Sequence, residues 1–215
     1  MNKGLSLNNL CVMRGDAPLI KVDHHINPGQ VLTVMGPSGV GKSTLLAFIT
    51  GTLSAGFRGM GQIELDGADI TALPPHKRQV GILFQDDLLF PHMSVGANLA
   101  FGMQTGGSRA VRQQAIETAL SDVGLRGYAG RDPATLSGGQ KARVSLVRML
   151  LSKPRALLLD EPFSRLDAEL RAQVRDLVFQ TARDRQLPVL MVTHDADDAA
   201  AAGGDVIELQ SLSKP

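Results

Sequence analysis

The chain has 215 residues, and its 22 lysines and arginines nearly balance its 21 aspartates and glutamates. A net charge of +1 gives no overall field to attract a polyanion, so no nucleic-acid partner is expected. The one cysteine excludes an internal disulfide, and no run of about 18 apolar residues could span a membrane. The first residues lack a secretory signal. We therefore expect a protein of the reducing cytosol that reaches a membrane only through a partner.

Strand and helix patterns alternate along the first third of the chain. Leu5 and Leu7 alternate with polar residues, which indicates an early strand. The apolar run from Val31 to Met35 ends abruptly in a glycine-rich turn and is typical of a buried strand. Further elements are predicted as a helix over 42–50 and strands over 61–66 and 80–84.

The middle of the chain carries helical patterns only. Ser108 can cap a helix, and another helix is predicted to begin after Gly139 and to end before Pro154. Because no strand pattern occurs between about residues 86 and 152, we predict a helical subdomain there, inserted into a core of residues 1–85 and 153–215. The apolar face of the helix after Ser108 is predicted to comprise Val111, Ala115, Ala119, Leu120 and Val123.

An α/β pattern resumes after the predicted helical subdomain. Ala156 to Asp160 is a continuous apolar run, which is typical of parallel strands covered on both faces. Asp167 can cap the next helix, a buried strand follows over 189–193, and a last helix is predicted over 196–202. The order of elements predicts a single α/β domain with a mainly parallel sheet. The stripe of the helix after Asp167 comprises Leu170, Val174, Leu177 and Val178.

The strongest local motif lies between the strand that ends at Met35 and the helix that follows. It matches the phosphate-binding pattern G-x-x-x-x-G-K-[ST] in the strand-to-helix context that the pattern requires. A side chain at Gly39 or Gly41 would obstruct the close wrapping of backbone amides around a phosphate. Lys42 would supply positive charge to the terminal phosphates of a nucleotide, and Ser43 would offer a hydroxyl to Mg²⁺. The residues of the motif are Gly36, Pro37, Ser38, Gly39, Val40, Gly41, Lys42, Ser43 and Thr44.

Two adjacent carboxylates, Asp160 and Glu161, end the apolar run over 156–160. Ligand sites of parallel sheets lie at the carboxyl ends of the strands, and burial of two neighbouring anions is costly unless a cation shares the site. We therefore assign Asp160 to Mg²⁺ and Glu161 to orienting and deprotonating the attacking water. Taken alone, this strand end could carry solvated acids, and the phosphate-binding motif favours the catalytic interpretation.

Leu136 to Gln140 reads Leu-Ser-Gly-Gly-Gln directly before a predicted helix. With this sequence the chain closely resembles the nucleotide-binding subunits of ATP-binding cassette (ABC) transporters, over about residues 3–210 and with the motifs in the family's order. The resemblance implies a P-loop NTPase core with an N-terminal antiparallel β portion, and ATP and Mg²⁺ as ligands. It identifies a signature sequence that would form a second anion site at a helix start, with Ser137, Gly138, Gly139 and Gln140.

The resemblance also assigns three further segments. Gln85 corresponds to the glutamine between the two subdomains, as a ligand of Mg²⁺, and residues 164–167 correspond to the loop at the dimer seam. His194 corresponds to the histidine that contacts the γ-phosphate, although taken alone it is typical of a surface or capping residue. In the family, each ATP lies between the P-loop of one subunit and the signature sequence of another. A head-to-tail homodimer that ATP joins and hydrolysis releases is therefore implied.

Residues 84–95 and 98–102 resemble bacterial importer subunits of the thiamine, sulfate, iron and polyamine types. In those relatives the region borders a groove that receives a short cytoplasmic helix of the membrane permease. The resemblance implies a peripheral protein on the cytoplasmic face of the inner membrane, bound to a permease and served by a separate solute-binding protein. Four apolar residues would line the groove or, alternatively, form the core of the helical subdomain, namely Leu88, Leu89, Phe90 and Met93.

Three features depart from the family's pattern. No aromatic residue precedes Phe48, so Arg14 or Met13 would face the adenine that an aromatic ring stacks on in many members. Arg165 stands in the seam loop where relatives usually have a small residue, and it could pair with an acid across the seam. The chain ends soon after its last predicted strand, so we expect no appended regulatory domain.

The remaining histidines do not suggest a metal centre. They show no ligand-like spacing with Cys11, so no zinc site is inferred. We expect solvated loop residues at His24, His25, His76 and His92.

Two other functions remain open from the sequence. A soluble cassette ATPase acting on nucleic acid or the ribosome is the first, but such proteins usually carry two fused cassettes or a long coiled-coil insert, and neither pattern occurs. A regulatory subunit with little turnover is the second. Retention of Lys42, Asp160, Glu161 and His194 together argues against that reading. We expect an ATP-hydrolysing transporter subunit of the importer type.

Overall fold

The computed structural model describes residues 3–209. Its strands are β1 (Leu5–Arg14), β2 (Ala17–Ile26), β3 (Val31–Met35), β4 (Phe57–Leu65), β5 (Ala68–Asp69), β6 (Val80–Leu83), β7 (Ala156–Asp160), β8 (Val189–Thr193) and β9 (Asp205–Glu208). Its helices are α1 (Lys42–Thr50), α2 (Val95–Gly102), α3 (Arg109–Asp122), α4 (Gly138–Leu151), α5 (Ala168–Asp184) and α6 (Ala196–Ala202). Among residues 3–209, no helix has both the length and the apolar character of a membrane span.

Contacts divide the chain into two compact units. The first contains the residues up to 82, the segment 155–161 and the residues from 179 onward. The second contains 83–154 and 162–178. The seam loop and the start of α5 therefore belong to the same unit as the predicted helical subdomain.

A five-stranded sheet has the order β6-β7-β8-β3-β9. β3 pairs in parallel with both β8 and β9, and β7 pairs in parallel with β8, so the mainly parallel sheet predicted from the apolar runs is confirmed. Nearly every residue of β3, β7 and β8 is buried. Because the strands run in parallel, the segments after β3, β7 and β8 leave the same edge of the sheet, which brings three of the predicted motifs to one place.

A four-stranded antiparallel sheet has the order β2-β1-β4-β5 and supplies the antiparallel β portion that the resemblance implied. Its inward side chains join the buried cluster that also contains residues of α1 and of the parallel sheet. The alternation of β1 shifts at an irregularity between Leu7 and Leu10, where Asn9 has a φ of 49°. Leu5, Leu7, Leu10 and Val12 can therefore all face the core.

The second unit contains α2, α3 and α4, which pack on one another around a separate apolar cluster. Ser108 caps α3 as predicted, with its Oγ accepting a hydrogen bond from the Val111 amide at 3.3 Å. The predicted apolar face is wrong at Val111, whose side chain is exposed, and it missed Ile116, which is buried with Leu120. Val111 lies in the first turn, ahead of the buried positions four residues apart that meet the other helices.

Arg78 is a buried cation of the first unit that the sequence analysis did not single out. Its guanidinium donates hydrogen bonds to the carbonyls of Phe48 and Ile49, both at 2.9 Å, and to those of Thr71 and Leu73. The first two carbonyls belong to the last turn of α1, which has no basic residue of its own. Arg78 therefore satisfies the C-terminal end of the helix whose N-terminal end carries the phosphate-binding motif.

We predict that Arg78→Ala destabilises the protein by about 2–3 kcal/mol, because several buried carbonyls lose their donor. Thermal unfolding should show a lower Tm for this variant, with Arg78→Lys intermediate because an ammonium lacks the planar fork of donors. Arg58→Ala, at an exposed position of β4, is the matched control and should unfold like the parent. A Tm of Arg78→Ala equal to that of the control would contradict this account.

Candidate nucleotide-binding site

The loop between β3 and α1 is shaped to receive an anion. Gly39 and Gly41 have φ values of 83° and 109°, a left-handed conformation that glycine adopts without steric cost. A Cβ at Gly41 would also lie 2.9 Å from Leu19 Cδ2, whereas one at Gly39 would meet no atom within 4 Å. No side chain caps the N-terminus of α1, so its first amides can bind phosphate oxygens. Pro37, Ser38 and Gly39 are exposed, and Gly36, Val40 and Thr44 are partly buried.

Lys42 lies under this loop rather than in solvent. Its side chain is 5% exposed, and its Nζ donates hydrogen bonds to the carbonyls of Gly36 at 2.6 Å and Pro37 at 3.1 Å. The same Nζ is 3.6 Å from Glu161 Oε1. The lysine charge is thus held between the loop and the end of β7, where it can neutralise a bound phosphate.

Asp160 and Ser43 form the oxygen-rich side of the site. Ser43 Oγ donates a hydrogen bond to Asp160 Oδ1 at 3.1 Å. Burial raises the pKa of the Asp160 carboxyl, and the neighbouring negative charge of Glu161 raises it further, while the Ser43 hydrogen bond and the Lys42 charge act in the opposite direction. A hydroxyl and a desolvated carboxylate are ligands suited to Mg²⁺, so these residues fit the ion that the resemblance implies.

The Glu161 carboxylate lies between two basic side chains, those of Lys42 and His194. Its Oε2 is 3.2 Å from His194 Nδ1 and its Oε1 faces Lys42, and its side chain is 19% exposed against 55% for His194. Glu161 has a φ of 46°, in the left-handed region, and its amide donates a hydrogen bond to the Val192 carbonyl at 3.0 Å. The backbone thus turns this carboxylate towards the bases, a strained conformation of the kind found at functional sites. A carboxylate held in this way can accept a proton from a water.

The turn that carries His194 is fixed by residues that the sequence analysis did not single out. Thr193 Oγ1 accepts a hydrogen bond from the Asp195 amide at 3.0 Å. Asp195 Oδ1 in turn accepts from the amides of Asp197 at 2.9 Å and Asp198 at 3.2 Å, which caps α6. An aspartate directly before a helical pattern is a recognisable cap signal, and it could have identified Asp195.

The signature sequence lies in the second unit, at the start of α4. Ser137 Oγ accepts from the Gln140 amide at 3.3 Å, and Gln140 Oε1 accepts from the Ser137 amide at 3.0 Å, which is a complete capping box. Gly138 is exposed, and Gly139 is buried. A Cβ at Gly139 would lie 2.3 Å from Leu170 Cδ1, so this glycine permits α4 to approach α5.

The other residues assigned by resemblance also lie in the second unit. Gln85 is exposed, two residues after β6 ends. Asp167 caps α5 as predicted, because its Oδ1 accepts from the Leu170 amide at 3.0 Å. Arg165, expected to pair across a dimer seam, forms an ion pair with Asp86 of its own chain.

The four apolar residues expected either to line a permease groove or to form the core of the helical subdomain differ in burial. Leu88 is exposed, while Leu89 packs against the apolar cluster of the second unit. Phe90 is partly buried and meets Phe101 edge to face at 4.8 Å, and Met93 is partly buried. Asn98, which the sequence analysis did not single out, is fully buried and exchanges hydrogen bonds with the backbone of Phe90 and Met93.

Two of the four remaining histidines are not loop residues. His24 and His25 lie in β2 and are partly buried. His25 Nδ1 is 2.7 Å from Ser6 Oγ, and His24 Nε2 is 3.2 Å from Asp205 Oδ2. The prediction failed because β2 mixes polar and apolar residues and was not recognised as a strand.

Known proteins match the chain over most of its length. The ABC transporter family profile matches residues 19–164, which is more than half of the chain. The uncharacterized ABC transporter ATP-binding protein YnjD of Escherichia coli strain K12 is 48% identical over 85% of this chain and 84% of its own length. The chain belongs to the ABC transporter family. As a member it is an ATPase that energises a transporter and works with membrane permease components.

Two further ABC relatives carry transport functions in their names. The thiamine import ATP-binding protein ThiQ of Yersinia pseudotuberculosis is 44% identical over 83% of this chain and 75% of its own length. The Fe(3+) ions import ATP-binding protein FbpC of Agrobacterium fabrum is 41% identical over 86% of this chain. The chain spans about half of the length of that second relative, 52%.

We predict that Asp160→Asn stabilises the nucleotide-free ABC protein. Since the folded-state pKa of Asp160 is raised above its ordinary value of 3.8, its ionised form costs stability at every pH above that raised pKa, and the cost disappears as the pH falls below 3.8. In EDTA at pH 8, the Tm of the variant should exceed that of the parent, because the amide carries no charge to desolvate. The difference should narrow as the pH is lowered towards 3.8.

Asp122→Asn, at an exposed position of α3, is the control for the loss of a charge. A variant Asp160→Asn that is no more stable than the parent at pH 8, or whose advantage grows at lower pH, would refute the desolvation of this carboxylate.

Proposed function

We propose that the chain hydrolyses MgATP as a head-to-tail homodimer and thereby drives a membrane permease that imports a solute, together with a separate solute-binding protein. The observation that carries the proposal is the convergence of Lys42, Glu161 and His194, with Ser43 and Asp160 beside them, at one edge of the parallel sheet. Lys42 would bind phosphate, Glu161 would accept a proton and His194 would contact the terminal phosphate. Phosphoryl transfer to water needs these three roles.

Each side chain of the first unit has a distinct step in this proposal. The amides of the loop over 36–41 and the Lys42 ammonium bind the β- and γ-phosphates. Ser43 and Asp160 would hold Mg²⁺, and the ion would neutralise phosphate charge. Glu161 accepts the proton of the attacking water. His194, whose Nδ1 lies 3.2 Å from Glu161 Oε2, donates to the γ-phosphate and holds the Glu161 carboxylate in place.

The signature sequence supplies the other half of the nucleotide site from a second copy. Ser137 caps α4 and Gly138 is exposed, so the positive end of a 14-residue helix is presented at the surface. Two such half-sites explain why one chain carries two anion-binding helix starts, and they make dimerisation a direct consequence of ATP binding.

A permease is proposed to dock on the second unit. Several large apolar side chains of this unit are exposed, and a partner that covered them would remove apolar surface from water. A short cytoplasmic helix of the permease would cover them, and the protein would then lie at the cytoplasmic face of the inner membrane. These exposed side chains are Phe84, Leu88, Phe101 and Val111.

Import is the direction that the named relatives favour. The relatives named for transport act on thiamine, ferric ions and spermidine or putrescine, and all of them are named as import proteins. Because the transported solutes differ so widely among similar ATP-binding proteins, we assign solute selection to the permease and the solute-binding protein.

We predict that Glu161→Gln lowers kcat for ATP hydrolysis by at least about 100-fold, since the amide cannot accept the proton. Affinity for ATP should be retained, because Lys42 and the loop over 36–41 are unchanged and one negative charge near the phosphates is removed. The variant should accumulate as an ATP-bound dimer, visible by size-exclusion chromatography with light scattering.

Glu169→Gln, in the exposed first turn of α5, is the matched control and should turn over like the parent. Turnover by Glu161→Gln equal to that of the parent would exclude Glu161 as the proton acceptor. A hydrolysis-deficient variant that stays monomeric at saturating ATP would contradict the shared nucleotide site.

A further inference from the structure

The backbone that follows Gln85 is bound to the signature helix. The carbonyl of Asp87 accepts hydrogen bonds from Ser145 Oγ at 2.7 Å and from Arg148 Nη2 at 2.9 Å, and the carbonyl of Leu88 accepts from Arg148 Nη1 at 2.6 Å. Ser145 and Arg148 both lie on α4. The segment over 86–88 therefore moves with the helix that begins at the signature sequence.

The seam loop over 164–167 is connected to the segment over 86–88 by an ion pair. Arg165 Nη1 donates to Asp86 Oδ1, and the two residues are 79 positions apart in the sequence. Asp87, beside this pair, is partly buried, and burial raises its pKa while the charges of Lys141, Arg165 and Arg148 oppose that rise. Two adjacent acids thus face basic residues from the seam loop and from α4.

The seam loop also packs directly on the signature glycines. A Cβ at Gly138 would lie 3.9 Å from Leu166 Cδ2, and one at Gly139 would overlap Leu170. Phe163, at the start of the loop, is fully buried. Leu166 of the loop and Leu170 of α5 therefore lie beside the first glycines of α4, and the ion pair adds a connection to the residue next to Gln85.

We propose that Arg165 is a positioning residue for ATP hydrolysis, which pairs with Asp86 so that the seam loop, the segment after Gln85 and the signature helix approach the nucleotide as one body. The inference rests on the proposed head-to-tail dimer. It assigns Arg165 a partner in its own chain, in place of an acid of the second copy across the seam. Because neither residue of the pair belongs to the loop over 36–44, the pair acts on turnover and not on the first binding of ATP.

The test is a charge exchange. Arg165→Asp and Asp86→Arg should each lower kcat by about 1.5- to 5-fold, the range of exposed ion pairs, since the two side chains are 60% and 52% exposed. The ATP affinity of the monomer should stay at the parent's value in both. The double variant restores the pair with reversed charges, and its kcat should recover towards that of the parent. Arg126→Asp, at an exposed position of the same unit, controls for the change of net charge and should match the parent.

Mixing the two single variants separates pairing within a chain from pairing across the seam. If the pair forms within one chain, no mixed dimer contains a complete pair in either subunit, and the mixture should stay as slow as its components. If it forms across the seam, mixed dimers regain matched charges and the rate rises.

Three results would overturn the inference: single variants as fast as the parent, a double variant that does not recover, or recovery on mixing. The same preparations report on the proposed function separately. A parent that neither hydrolyses ATP nor dimerises would contradict the proposed function and this inference together, whereas an active parent with unaffected single variants would contradict the positioning role alone.

Discussion

Two carboxylates side by side at the end of a buried strand are the constraint on which the first unit depends. Asp160 and Glu161 leave β7 where every preceding strand residue is buried, so water cannot stabilise both charges. The structure separates their surroundings: Asp160 accepts a hydrogen bond from Ser43, while Glu161 faces Lys42 and His194. Different surroundings allow different chemistry, with Asp160 suited to a cation and Glu161 to a proton. The desolvated Asp160 carboxylate is thus expected to lower the stability of the folded protein, and the proposed function requires that carboxylate.

The second unit solves a different problem, the presentation of a helix start at a surface that must meet another molecule. The capping box of Ser137 and Gln140 fixes the first turn of α4, and Gly139 lets α5 pack against it. Hydrogen bonds join α4 to the segment after Gln85. The ion pair of Arg165 with Asp86 joins the seam loop to that same segment. Motifs far apart in sequence thereby share one rigid support.

The sequence predicted elements well where a single physical signal dominates. β3, β7 and β8 are mainly apolar runs followed by glycine or polar residues, and their predicted bounds match the structure. It failed where signals conflict: β2 mixes charged and apolar residues, and α2 contains Gly96 and Gly102, which suggest a turn. The phosphate-binding motif, the acidic strand end and the family resemblance singled out Lys42, Asp160, Glu161 and His194, which the structure brings together. The pairing of Arg165 with Asp86 and the burial of Gly139 depend on tertiary contacts between distant segments, which no local pattern encodes.

The central claim is that one ATP is enclosed by the loop over 36–44 of one copy and the signature sequence of another. The most direct measurement is disulfide formation between Ser38→Cys and Ser137→Cys, both exposed, in a Cys11→Ser background that removes the native thiol. With a non-hydrolysable ATP analogue, the double-cysteine chain should form a covalent dimer, and neither single-cysteine chain should. Absence of that dimer at saturating analogue, or equal yield without nucleotide, would contradict the shared site.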